Sequence, residues 1–224
     1  MTGAATTAEE QARRLQGESS FTGETFTGVT LSGADLGRKE FTDCVFDNCK
    51  LQETDWRGSR LDECKFMGGD LTRLRPRGMR AHAVTFVGCK LMGVEWTDLG
   101  QFPQLAFREC VLDFASFVGL SLRRTEFLAC KISEANFFDV DLREADFTGS
   151  DLGGAIFRGC TFDARTDLSG ALGLFLDPAV NHARGAAISL EAAALLAVHL
   201  GLRVAGVGGP APAPAKPTKA RGRR

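Results

Sequence analysis

The chain has 224 residues, 44% apolar and 25% charged, with 27 lysines and arginines against 28 acids. That composition suits one elongated folded domain, and no apolar run approaches the ~20 residues of a membrane-spanning helix. The N-terminus lacks the basic start, apolar core and small-residue cleavage site of a signal peptide. With seven cysteines and no CxxC spacing, a cytoplasmic, reducing compartment is expected.

Residues 1–20 are small and polar, and they read as a flexible, frayed or weakly helical leader. From Phe21 onward the chain keeps a strict step of five. Phe21, Phe26, Leu31, Leu36, Phe41, Phe46, Leu51, Trp56, Leu61, Phe66 and Leu71 are all large and apolar. Phe86, Leu91 and Trp96 hold the same register. A second run extends from Phe107 through Leu112, Phe117, Leu122, Phe127, Ile132, Phe137, Leu142, Phe147, Leu152 and Phe157 to Phe162, one residue out of step with the first.

A five-residue period excludes the two regular structures. On an α-helix five residues advance by about 500°, so the apolar residues would spiral and form no face. On a flat strand an odd period sends successive large residues to opposite faces. The pattern is satisfied if the backbone bends once per five residues, so that four bends close a square coil of about twenty residues whose large side chains point inward. About seven coils spaced at ~4.8 Å would give a rod of roughly 34 Å, with Trp56 and Trp96 buried on one wall two coils apart.

The residue two places before each large one is mostly small. All seven cysteines fall there: Cys44, Cys49, Cys64, Cys89, Cys110, Cys130 and Cys160. They are expected to fill the core as free thiols, with no disulfide framework and no metal site.

Two irregularities interrupt the repeat. At residues 72–82 the large residue is replaced by Pro76 and then Ala81. The stretch carries Arg73, Arg75, Arg77 and Arg80, and it reads either as a solvated bulge or as a contact loop. At residues 98–106 one residue is inserted, and Phe102 is expected to take the vacated inward place, with Pro103 marking a bulge. After Phe162 the repeat dissolves, so the solenoid is assigned to residues 21–176 and a cap to residues 177–204. Ser189 is placed to N-cap a helix over about Leu190–Leu200, with Gly201 as its stop. Its apolar residues are too many for one packing surface. Residues 205–224, with Lys216, Lys219, Arg221, Arg223 and Arg224, read as a disordered basic tail that offsets the excess of 22 acids over 17 bases in residues 21–164.

Segments such as Ala34-Asp35-Leu36-Gly37, Ala145-Asp146-Phe147-Thr148-Gly149 and Ser150-Asp151-Leu152-Gly153-Gly154 resemble the A(D/N)LxG signature of the pentapeptide-repeat family. The resemblance implies a right-handed quadrilateral β-helix, an all-β solenoid, here with a short C-terminal helix. The plan is similar to the gyrase-protecting members, the quinolone-, fluoroquinolone- and albicidin-resistance types, and residues 89–97 look most like the albicidin-resistance branch. That likeness implies a homodimer through the C-terminal helix, with Leu195, Leu196, Val198, Leu200 and Leu202 as candidate contacts. It also implies DNA gyrase or topoisomerase IV as partner. Four arginines in an otherwise acidic repeat are a poor footprint for nucleic acid, and without a long apolar run no membrane binding is expected.

With four repeats per coil, Glu40, Asp43, Asp62, Glu63, Asp141, Glu144 and Asp163 fall on one wall, against Arg60, Arg123, Arg124 and Arg143. On the resemblance, Glu40, Asp43, Asp62, Glu63, Asp141 and Glu144 would stand in for DNA phosphates, and Arg73, Arg75, Pro76, Arg77 and Arg80 form a second candidate contact. The same wall also reads as a merely solvated face. No catalytic, cofactor or metal motif is present, and His82, His182 and His199 are far apart in sequence, so no enzyme is expected. The competing function is a structural scaffold with another protein partner, since a repeat does not dictate function.

Overall fold

A chain that must bury a large side chain every five residues has to turn between them. The computed structural model, which describes residues 7–100 and 102–205, shows how. The residue two places after each inward one takes a left-handed backbone. Asp43, Glu53 and Glu63 have φ of 50°, 58° and 54°, and glycine takes the same place at Gly58 with φ 68°. At Gly173, with φ 64°, a Cβ would also lie 2.9 Å from the backbone Cα of Gly153, which leaves room for glycine alone.

These corners separate four walls of parallel ladders. The first contains Ser20–Thr22, Glu40–Thr42, Arg60–Asp62 and Arg80–His82; the second runs in six strands from Thr25–Thr27 to Glu126–Leu128. The third is a series of single bridges from Thr30 through Lys50, Asp70, Lys90, Val111, Lys131 and Asp151 to Leu172. The fourth begins with bridges between Asp35, Asp55 and Arg75 and continues as strands from Glu95–Thr97 to Ile156–Arg158. Together they form a right-handed quadrilateral β-helix of about 8 turns. At ~4.8 Å per turn its length is about 38 Å.

Register places like above like. On the second wall Phe26, Phe46, Phe66, Phe86, Phe107, Phe127 and Phe147 stack with centroids 4.6 to 5.3 Å apart. Each fully buried ring contributes about 2–3 kcal/mol of transfer free energy. Trp56 and Trp96 are both fully buried, as the register requires. All seven cysteines are free and buried, and they do more than fill space. Cys49, Cys64, Cys110, Cys130 and Cys160 each donate from Sγ to the carbonyl of an inward phenylalanine in the preceding turn, at 3.2 to 3.4 Å. Ser59 and Ser150 donate in the same way to the carbonyls of inward Leu36 and Phe127, at 2.7 and 2.6 Å, so the position selects a small donor as well as a small volume.

The structure differs from the sequence expectations at four places. Residues 8–17 are a helix, α1 (Ala8–Gly17), capped by Thr7, and not a frayed leader. Fully buried Leu15 and an Arg14–Glu24 ion pair of 2.7 Å fix α1 on the first turn. Residues 72–82 do not bulge: Leu74 and Met79, two places before Pro76 and Ala81, are buried and supply the missing volume. Phe102 does not point inward. It is 72% exposed with φ 55°, and Pro103 is buried in its stead. Parallel pairing also continues past residue 176, through Thr161 with His182 and Asp167–Leu168 with Ala187–Ile188. The second helix, α2 (Leu190–His199), follows with Ser189 Oγ accepting from Ala192 N–H. The basic tail from residue 206 onward lies outside the described residues.

Candidate functional site

The acids of the repeat are of two kinds. In the A(D/N)LxG signature the aspartate accepts a hydrogen bond from the backbone N–H two residues on. Asp35, Asp55, Asp70, Asp146, Asp151 and Asp167 all do so at 2.8 to 3.1 Å. These carboxylates fasten the corner in an Asx turn. Asp141 belongs to this group. It accepts from Arg143 N–H and pairs with the Arg143 guanidinium at 2.6 Å, which together hold its carboxyl below the ordinary range.

Glu144 is occupied in a different way. Arg123, Arg124 and Arg165 surround it at 2.8, 3.0 and 3.3 Å. The hydrogen bonds from Arg124 and then Arg123 lower its pKa to about 2. Asp163, the seventh acid of the wall, accepts from the backbone N–H of Glu144 and Arg165.

The other four candidates stand free of such clamps. Asp43 and Glu63 occupy the same corner in successive turns, and among the described residues neither has an ion-pair partner. Glu40 is largely exposed and lies 3.8 Å from Arg60. Asp62 pairs with His82 at 2.6 Å, both side chains at the surface. The register puts seven acids on one wall, and the structure separates them into an exposed quartet near the N-terminal end and, near the other, Asp141 and Glu144 paired with arginines and Asp163 accepting from backbone N–H groups.

Charge also varies along the axis. Residues 21–70 carry ten acids and six bases, residues 71–94 five bases and no acid, and residues 95–164 twelve acids and six bases. The basic girdle holds the second candidate contact. Pro76 has no N–H, and the bridge between Arg75 and Glu95 is missing from the fourth wall. A cleft of about 710 Å³ opens there, lined by Arg57, Arg73, Arg75 and Arg77 and by Glu53, Asp55 and Glu95. Arg57 pairs with Asp55 at 2.6 Å and Arg73 with Glu53 at 3.9 Å. Arg80 lies beyond the next corner, on the first wall.

On α2, Leu195, Val198, Leu200 and Leu202 are exposed, as is Leu190, while Leu196 is half-buried. Ala192 and Ala194 face the protein. Leu195, Val198, Leu200 and Leu202 are among the residues expected from the sequence to form a dimer contact. Among the described residues no helix is long and apolar enough to cross a membrane, and no group of three or more His, Cys, Asp or Glu could hold a metal ion. Burial raises the Cys49 thiol to about 11.

The family description "Pentapeptide repeats" matches in eight copies, including residues 40–73, 106–143, 126–163 and 135–172. The chain belongs to the pentapeptide-repeat family. No curated protein matches it in sequence. Among solved structures it is similar to two trypsin-treated variants of QnrB1, a plasmid-mediated fluoroquinolone resistance protein. One is 21% identical with a TM-score of 0.52, over 85% of this chain and 92% of that one. The other is 20% identical with a TM-score of 0.50, over 83% and 97%. At that identity the likeness concerns the fold. What this pentapeptide-repeat chain binds has to be argued from its own surface.

Sequence reasoning missed the arginine clamp on Glu144, because its members are about twenty residues apart and meet only through coil stacking. It also missed exposed Phe102. The one-residue register shift was the available signal, but it does not tell which neighbour turns inward.

Proposed function

We propose that this chain binds DNA gyrase or topoisomerase IV as a DNA mimic and protects it from a gyrase-poisoning antibiotic, in resistance or self-immunity. The observation that carries this function is the exposed carboxylate quartet of Glu40, Asp43, Asp62 and Glu63 on a rigid rod. Successive turns repeat charge at a spacing of about 4.8 Å, and a basic DNA-binding saddle would attract such an edge. The fold shared with a fluoroquinolone resistance protein supports the same assignment.

A dimer through Leu195, Val198 and Leu202 of α2, whose side chains are exposed, would double the rod. Its length would be on the order of 75 Å, comparable to about twenty-two base pairs at 3.4 Å each. Asp141 and Glu144 contribute little in this account, since their charge is already balanced.

A second reading, a scaffold for another protein partner, is favoured by the basic girdle of residues 71–94, which interrupts the acidity that a uniform DNA mimic would carry. Gyrase supercoiling measured with and without a fluoroquinolone and an albicidin-type poison separates the two. Inhibition by the protein alone and rescue from at least one poison are expected. Unchanged supercoiling in every condition leaves the scaffold.

A further inference from the structure

The fourth wall changes character along the axis. In its first four turns the outward positions are polar, as at Asp55, Arg57, Arg75, Arg77, Glu95 and Thr97. In its last four turns they become apolar. Val118 pairs with Thr97 and Phe138 with Val118, while Ile156 continues the neighbouring column of Ser116 and Asn136. Gly159 N–H donates to Val180 as Asp139 N–H donates to Arg158, which places Val180 in the Phe138 column one turn beyond Arg158. Val118, Ile156 and Val180 are exposed and Phe138 is half-buried, so among the described residues nothing covers this face. A sheet face that met only water would carry polar side chains there.

The carboxylates around the face are free. Glu134 and Asp139 border it at two corners, and Glu95 and Asp98 stand at its far end. All four are exposed, and among the described residues none has an ion-pair partner. Arg158 is the base among the outward positions of these turns.

The chain leaves the described structure beside this face. His199, at the end of α2, packs on Phe175 with ring centroids 4.7 Å apart. Phe175 lies between the third-wall bridge at Leu172 and Val180, at the corner where the last turn enters the fourth wall. Val204 is still half-buried. Residues 206–215 carry no charge and include Pro210, Pro212 and Pro214, whereas residues 216–224 carry Lys216, Lys219, Arg221, Arg223 and Arg224 and no acid. At ~3.1 Å per residue the uncharged part can span about 31 Å. Four turns at ~4.8 Å each rise about 19 Å.

We propose that residues 206–224 dock along the last four turns of the fourth wall of their own chain. The proline–alanine part lies over Val118, Phe138, Ile156 and Val180, and the basic part meets Glu95 and Asp98, with Glu134 and Asp139 at the edges. The order of apolar and then basic residues along the chain is the order of apolar and then acidic groups along the wall. Proline brings no N–H to an apolar surface, and proline-rich segments dock on faces that carry aromatic rings. Arg75 and Arg77 in the preceding turn set the far limit of the site by repulsion. The site is on a different wall from the Glu40–Glu63 edge and does not depend on gyrase being the partner.

The test is carbodiimide cross-linking of the full-length protein, prepared as a mixture of light and heavy-isotope-labelled chains, with mass spectrometry of the joined peptides. Lys216 and Lys219 should join Glu95, Asp98, Glu134 and Asp139 within one chain, in preference to Glu40, Asp43 and Glu63, and the yield should fall with added salt. Val118→Arg with Ile156→Arg, at exposed positions, should cut that yield about tenfold, because two aliphatic contacts are lost and the tail is repelled. Arg221→Glu with Arg223→Glu and Arg224→Glu should also lower it, and these changes lie outside the coil, so a lower yield cannot be ascribed to misfolding. No cross-link, an even spread over exposed carboxylates, or yields unchanged in both variants overturns the proposal. So do joined light and heavy peptides at these acids, which would mean that a second copy covers the wall.

Discussion

The two ends of the first wall both carry acids, four at one and three at the other, and present very different surfaces. Near the N-terminal end Glu40, Asp43, Asp62 and Glu63 reach solvent with weak or absent arginine partners. Near the other, Asp141 and Glu144 are held by four arginines at 2.6 to 3.3 Å. Counting carboxylates along a repeat therefore overstates the charge a partner meets. What matters is whether the next coil supplies a guanidinium, and in a solenoid that is decided by the residue about twenty places away.

The largest effect should come from the exposed end. Reversal of Glu40, Asp43, Asp62 and Glu63 to lysine is expected to weaken gyrase binding by about 100-fold or more while leaving the melting temperature within a degree or two. Asp141→Asn with Glu144→Gln should change binding by less than about twofold, because that charge is already balanced. If the second pair matters as much as the first, the distinction between the two ends is wrong.

Assembly offers the next test. Leu195→Asp with Val198→Asp places charges on exposed positions of α2 and should yield monomers in sedimentation. An unchanged dimer, or a monomeric parent protein, would move the interface elsewhere or remove it.

The neutralised end should show itself in acid stability. Glu144 has a folded pKa of about 2 against an ordinary value of 4.5, and Asp141 and Asp167 are also lowered. A depressed folded pKa adds stability that is complete above the unfolded value and is lost as pH falls through the folded one. Melting temperature should therefore fall between about pH 4.5 and pH 2, and Glu144→Gln should flatten that decline. An identical acid profile for parent and variant would mean the arginine clamp is not formed in solution.

The smallest effect concerns the core, where the two ends also differ. Trp56 Nε1 donates to Thr54 Oγ1 at 2.9 Å. Trp96 Nε1 is buried with no partner, because Val94 occupies the place equivalent to Thr54. Val94→Thr supplies the acceptor at nearly constant volume and should stabilise by about 1 kcal/mol. A drop in melting temperature would show that the indole N–H is satisfied in another way.

Much of the fold was legible because a five-residue step is incompatible with helix and flat strand, so Phe21 to Phe162 admit one kind of coil. The cap of α2 was equally readable, since Ser189, Glu191 and Gly201 act on their immediate neighbours. Pro76 and Ala81 misled because the compensating volumes, Leu74 and Met79, sit at the position where a small residue is usual. The continuation to Ile188 was hidden by its irregular spacing, although its backbone bonds follow the preceding coil. Within the candidate site, register alone identified the wall but not the partners of each acid, which depend on how long side chains reach across coils.

The account rests on the exposed quartet being the surface that gyrase reads. Carbodiimide labelling of carboxylates, followed by mass spectrometry of the free protein and of its gyrase complex, measures this directly. Glu40, Asp43, Asp62 and Glu63 should label readily in the free protein and be protected in the complex, with Asp141 and Glu144 labelling slowly in both. Equal labelling of the quartet with and without bound gyrase would contradict it.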